Sequence, residues 1–161
     1  MNILSVAIAM EADLEKYYLK QAEINHDNYL NKIFTMLAND EKEHANILKR
    51  KSEELNYELK DGKTFKESKL LFKGMDDFKM ETKAIPSQLD SIRFAQEMEK
   101  KSIDAYTEMK EEAKDERAKE LFEFLLKEEE MHYEILDQLA RHLSRPEEWV
   151  EDAEFGVREE Y

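Results

Sequence analysis

Cysteine is missing from the sequence altogether, which removes disulfides, thiolate metal sites and cysteine nucleophiles from consideration. Any metal held by this chain must be held by Glu, Asp and His. Three glycines and two prolines in 161 residues are too few turn residues for an all-β fold, and the prevalence of Glu, Lys, Leu, Ala and Met favours helix. No apolar run is long enough to span a bilayer. The apolar start MNILSVAIAM has no basic stretch before it and Glu11 follows at once, so no secretory leader is expected and the cytoplasm is the expected location. Basic residues are outnumbered, 25 Lys and Arg against 39 Asp and Glu, for a formal charge of −14. That balance would repel phosphates, which argues against nucleic acid and anionic membranes as partners and favours metal cations.

A chain with 40% charged and 41% hydrophobic residues can fold only if its apolar positions are ordered, and here they are. From Ile3 to about Asn25, Leu4, Ala7, Ile8, Glu11, Leu14, Tyr18 and Ala22 recur at steps of three and four, one face of a helix with a carboxylate in it. A second helix is expected from near Asp27 to the late fifties, with Leu30, Ile33, Phe34, Leu37, Glu41, His44, Ile47 and Leu48 facing inward. Periodicity weakens from about Leu59 to Pro86, which reads as a long crossover with a short helix around Phe65 to Phe72. Ser87 and Asp90 look like a capping box opening a third helix that runs to about Ala113. A fourth is expected from Asp115 to His142, its inner face carrying Leu121, Phe122, Leu125, Glu129, His132, Leu136 and Leu139 and its end set by Ser144, Arg145 and Pro146. The expected organisation is thus one domain over residues 1–143 and an aromatic, acidic tail over 144–161, with Trp149, Phe155 and Tyr161 available for docking.

An internal repeat carries the chemistry. An offset of 88 residues, Glu11 to Glu99 and Glu41 to Glu129, superposes Ala7, Met10, Glu11 and Tyr18 on Ala95, Met98, Glu99 and Tyr106, and Phe34, Leu37, Glu41, His44, Ile47 and Leu48 on Phe122, Leu125, Glu129, His132, Ile135 and Leu136. Each half holds one Glu-x-x-His. Three residues turn a helix through about 300°, so Glu and His stand on one face a turn apart and can reach a common ion. With Glu11 and Glu99 the set becomes four carboxylates and two imidazoles, a ligand set for two metal ions about 3.5–4 Å apart. Two divalent cations would offset four negative charges that could not otherwise be buried together. Oxygen and imidazole donors suit iron, with manganese or zinc as alternatives. A single Glu-x-x-His in so acidic a sequence would be an ordinary surface pair; two copies in register are not expected by chance. His26 and His142 have no Glu at minus three and are left outside the site, and Met10 and Met98 read as core filler.

Around the ligands, Asp40 and Glu128 are candidates to orient the histidine of the opposite half. Tyr18 and Tyr106 are either core aromatics or phenols that hydrogen-bond the ligand carboxylates and stand close enough for redox chemistry.

The segments AMEADLEKYY and EMEKKSIDAY, each followed by a helix with DEKEH or EEEMH, resemble the ferritin-like di-iron superfamily and most closely its rubrerythrin group, over about residues 3 to 142. The resemblance implies an all-α, antiparallel four-helix bundle with the long crossover between helices two and three. It also implies metal ligation by Glu11, Glu41, His44, Glu99, Glu129 and His132, two iron ions as cofactor, and reduction of hydrogen peroxide or oxygen. Rubrerythrins typically carry a Cys-ligated rubredoxin domain; without cysteine, electrons are expected from an external rubredoxin-like donor. Ser102 stands where the group has a further Glu, three residues after the third-helix ligand, which brings the set closer to the six ligands of bacterioferritins. Iron handling of ferroxidase type and a purely structural metal are the competing expectations. Helical hairpins could pair within one chain or be exchanged between two, and a homodimer is the favoured assembly.

Overall fold

The computed structural model describes residues 3–54, Tyr57, Leu59, Thr64 and 86–154, with side chains in the last stretch from 88 to 144. Four helices account for nearly all of it: α1 (Ile3–Ile24), α2 (Leu30–Ser52), α3 (Pro86–Glu112) and α4 (Glu116–Glu154). No strand occurs among the described residues. The all-α bundle expected from the sequence is therefore present.

Local chemistry explains where the helices turn. α1 ends in a knot of amides: Asn25 Nδ2 donates to Gln21 O at 2.8 Å, Asn28 Oδ1 accepts from Leu30 N at 2.9 Å, and Asn31 Nδ2 donates to Ala22 O at 2.7 Å. These side chains satisfy backbone groups that the helix ends leave open. α2 closes with Lys49, Arg50 and Lys51 in its last turn, where cations suit the negative end of the dipole. Beyond it Glu54 takes a left-handed φ of 59°, a conformation that stops a helix and that glycine would adopt more readily. Asp115 caps α4, its Oδ1 accepting from Ala118 N at 2.7 Å.

Three boundaries differ from expectation. α2 is shorter at both ends, because the amide knot holds residues 25–29 in turns and Glu54 stops the helix early. α3 begins at Pro86 itself, not after a Ser87 cap: a proline in the first helical turn gives up an N–H that would be unpaired anyway. α4 does not stop at Ser144, Arg145 and Pro146 but continues to Glu154. Pro146 removes one backbone bond, and Glu147, Glu148, Glu151 and Ala153 after it are good helix formers with no glycine among them. The short helix expected around Phe65 to Phe72, Phe155 and Tyr161, and the side chain of Trp149 lie outside the described residues.

Short connections make α1–α2 and α3–α4 antiparallel hairpins, and both hairpins close on one core within a single chain. That core has two apolar ends. Leu14, Tyr18, Leu30, Ile33, Phe34, Leu37, Ile92, Ile135, Leu136 and Leu139 fill the end beside the α1–α2 turn. Ala7, Leu48, Tyr106, Met109, Leu121, Phe122 and Leu125 fill the end beside the α3–α4 turn. α2 ends at the second of these ends and α3 starts at the first. The polar residues singled out by the repeat lie in the layer between the two apolar ends.

Leu37→Ala is expected to cost about 2–5 kcal/mol by opening a cavity beside that layer. Asp115→Ala is expected to cost about 1 kcal/mol by removing the cap. Urea denaturation of the two variants checks both figures; equal costs would mean that the core adjoining the site is not packed as described.

Candidate metal centre

Each helix contributes from a face that is otherwise apolar. Glu11 and Glu99 replace a core residue on α1 and α3, and the Glu41/His44 and Glu129/His132 pairs do so on α2 and α4. All six are buried, the four carboxylates completely. Ligand atoms of Glu11, Glu41, His44 and Glu129 lie within 4.8 Å of one another, and so do those of Glu41, Glu99, Glu129 and His132. Glu41 and Glu129 belong to both groups. The structure thus gathers every one of the six residues that the sequence pattern nominated, in two overlapping quartets.

The histidines point their Nδ1 atoms into the cluster. His44 Nδ1 lies 3.0 Å from Glu129 Oε1, 3.4 Å from Glu11 Oε2 and 3.9 Å from Glu41 Oε2. His132 Nδ1 lies 2.7 Å from Glu41 Oε1, 3.4 Å from Glu99 Oε1 and 3.5 Å from Glu129 Oε2. Their Nε2 atoms face outward to carboxylates of the opposite half, His44 to Glu128 at 3.3 Å and His132 to Asp40 at 2.9 Å. The orienting pairs expected from the sequence are both present. An outer acceptor on Nε2 fixes the ring and leaves Nδ1 for the cluster. The rings stack with centroids 5.9 Å apart.

Tyr18 and Tyr106, both fully buried, cross between halves. Tyr18 Oη donates to Glu99 Oε1 at 2.6 Å and Tyr106 Oη to Glu11 Oε1 at 2.5 Å. They are therefore more than core aromatics, since each fixes one carboxylate oxygen. Phe34 and Phe122 stack on these tyrosines with centroids 6.0 and 6.4 Å apart. Phe124 was not expected: its ring meets His44 edge-on at 6.3 Å. The repeat gave no hint of it, because the equivalent position in the first half is Met36.

Burial dominates the electrostatics. It raises the Glu41 carboxyl well above its ordinary value, helped by the charges of Glu11, Glu129 and Glu99. Glu99 is raised in the same way, by burial and then by Glu129. Burial would raise Glu129 too, but the close approach of Glu99 and of the His132 and His44 imidazoles outweighs it and holds that carboxyl well below the usual range. Burial opposes charge on both histidines, yet Glu11 lifts His44 and Glu99 with Glu41 lifts His132, so both stay protonated well above the ordinary value. Both phenols are raised by burial first and by the facing carboxylates next, so they remain hydrogen-bond donors.

Protons and tyrosines do not satisfy the cluster. Glu11 Oε2, both oxygens of Glu41, Glu99 Oε2, Glu129 Oε2 and His132 Nδ1 make no hydrogen bond, and the 2.7 Å approach of His132 Nδ1 to Glu41 lacks the alignment of one. Buried lone pairs without partners are costly. Most of these atoms point toward their neighbours in the cluster, and a pair of cations would serve them all. Four carboxylates and two imidazoles with no thiolate fit divalent iron, manganese or zinc.

The rubrerythrin family model matches residues 2–140, nearly the whole of the bundle. Neither the curated proteins nor the solved structures yield a match. No helix among the described residues is long and apolar enough to cross a membrane.

The metal-free protein is expected to lose stability as pH rises. Glu41 and Glu99 have folded values raised above about 4.5, so their contribution is complete below that pH and is lost on the way up through the folded values. The histidines, raised above 6.5, add a loss in the same direction. Glu129 has the opposite sign, but its contribution disappears only below about 4.5. Denaturant unfolding of chelator-treated protein at about pH 5 and about pH 8 should show the fall, and Glu41→Gln/Glu99→Gln should flatten it. A slope unchanged by that double variant would place the titration elsewhere.

Proposed function

The chain belongs to the rubrerythrin family, and from that premise we propose that it is a di-iron carboxylate oxidoreductase that reduces hydrogen peroxide or oxygen with electrons from an external donor. The observation that carries this reading is the pair of overlapping quartets, in which Glu41 and Glu129 are common to both. On this reading Glu11 and His44 would hold one ion and Glu99 and His132 the other, with Glu41 and Glu129, common to both quartets, within reach of either. Two ferrous ions so held would supply the two electrons that reduction of peroxide requires, one from each.

What the chain's own residues do follows from their contacts. Asp40 and Glu128 hold the imidazoles with Nδ1 turned inward. Tyr18 and Tyr106 each occupy one oxygen of Glu99 and Glu11, which leaves the other oxygen of those carboxylates for a cation. Phe34, Phe122 and Phe124 surround this layer with apolar rings, excluding water and limiting the escape of reactive products. The sequence has no cysteine with which to hold a thiolate-ligated iron, and on this reading a rubredoxin-like partner or a chemical reductant would supply the returning electrons. A cytoplasmic homodimer is the setting this reading assumes.

Ser102, buried beside Glu99 on α3 in place of a further carboxylate, favours a second reading. A six-ligand centre of this kind could oxidise iron and pass it on instead of turning over peroxide. The two readings differ in whether the metal stays.

Anaerobic protein loaded with two equivalents of iron(II) and mixed with one equivalent of hydrogen peroxide should develop ferric near-ultraviolet absorbance at once. Glu41→Ala/Glu129→Ala should abolish the change. Repeated cycles with reductant, without loss of iron, would support peroxide reduction, whereas release of ferric iron after one cycle would support iron handling. Iron that binds and stays ferrous in peroxide would leave the metal a structural role only.

A further inference from the structure

The two halves agree at the ligands and disagree around the tyrosines. Behind Tyr18 stands Tyr17, edge-on to it with ring centroids 5.8 Å apart, and against Tyr17 lies Phe94 at 5.3 Å. Tyr17 is half-buried and donates its hydroxyl to Ser91 O at 2.8 Å. Phe94 is 51% exposed, an unusual position for so large an apolar ring. In the first half of the site, then, adjoining aromatic rings lead from Glu99, through Tyr18 and Tyr17, to the protein surface. In the second half the series is cut short. The repeat puts Ala105 where Tyr17 would be and Val6 where Phe94 would be, so neither twin position carries an aromatic ring, and the ring stacked on Tyr106 is Phe122. Packing alone would not call for a second phenol in one half and an alanine in the other.

We propose that Tyr17 conducts oxidising equivalents from Tyr18 to the surface beside Phe94, where a small one-electron donor is consumed. This second activity rests on the peroxide-reducing reading above and operates when the centre is half-filled. Reduction of hydrogen peroxide to two waters breaks the O–O bond and takes two electrons and two protons. One bound ferrous ion would supply one electron, restored to it afterwards by the external donor of the reading above, and Tyr18 gives the other. The Tyr18 O–H bond breaks and its proton passes along the 2.6 Å hydrogen bond to Oε1 of Glu99, which is ionised when that residue holds the ion, while both protons for the new waters come from solvent. Tyr17 then returns an electron to Tyr18, which recovers its proton from Glu99, and the phenol proton of Tyr17 leaves to water. The donor finally returns one electron to Tyr17, which takes up a proton from water, so that both tyrosines end as they began. The chain is thereby spared a radical trapped in its core.

The test uses full-length protein loaded with one equivalent of iron(II), one equivalent of hydrogen peroxide, and electron paramagnetic resonance on frozen samples, with ascorbate as the donor. Wild type should give an organic radical that ascorbate quenches rapidly. Tyr18→Phe should lose the radical. Tyr17→Phe should keep it and lose the rapid quench, and Tyr133→Phe, a partly exposed tyrosine outside the series, should behave as wild type. Rapid quenching in Tyr17→Phe, or slow quenching in Tyr133→Phe as well, overturns the proposal. So does the absence of a radical in half-loaded protein whose fully loaded form is oxidised by peroxide, a result that leaves the peroxide-reducing reading standing. Iron that peroxide fails to oxidise at any loading overturns both.

Discussion

Four carboxylates completely withdrawn from water, with two imidazoles among them, set the terms for the rest of this structure. Desolvation alone opposes every one of those charges, and the carboxylates repel one another as well. The fold answers with local compensation. Two phenols donate to Glu11 and Glu99, and two imidazoles, held from outside by Asp40 and Glu128, turn toward the remaining oxygens. The compensation is incomplete, since five carboxylate oxygens in the cluster make no hydrogen bond. A buried polar group can be tolerated only where the surrounding apolar packing is strong enough to offset it. Hence the division of the core into two well-filled apolar ends with the polar layer between them. Cation binding in such a layer is coupled to folding and to release of the protons that stand in its place.

Repetition is how the chain builds a site with approximate two-fold symmetry. Each hairpin supplies one Glu from its first helix and Glu-x-x-His from its second, and the cross-contacts run between hairpins: Tyr18 to Glu99, Tyr106 to Glu11, His44 to Glu128 and His132 to Asp40. Neither hairpin can complete the layer alone. Departures from symmetry then carry the individuality of the site. Asp40 and Glu128 differ in length, Phe124 faces His44 where the other half has Met36, and Tyr17 and Phe94 have no aromatic twins.

The six residues of the buried cluster were legible in the sequence because a helix converts spacing into direction. Glu41 and His44, three residues apart on a stripe shared with Leu37 and Leu48, had to face the core, and the offset copy at Glu129 and His132 removed the alternative of a surface pair. Asp40 and Glu128 could be named for the same reason. Helix ends were less legible, since they depend on single interactions: the amide knot of Asn25, Asn28 and Asn31, the left-handed Glu54, and the continuation of α4 past Pro146. Phe124 and the Tyr17–Phe94 contact could not be read at all. They depend on which helix faces lie side by side in the bundle, which periodicity within one helix does not encode.

X-ray absorption at the iron edge of protein loaded with two equivalents tests most directly whether the polar layer is a dinuclear centre. A rubrerythrin-family centre in which Glu41 and Glu129 are shared predicts oxygen and nitrogen neighbours only, and an iron–iron distance of about 3.5–4 Å. Isolated irons with no second metal within that range, or the same spectrum from Glu41→Ala/Glu129→Ala, would contradict it.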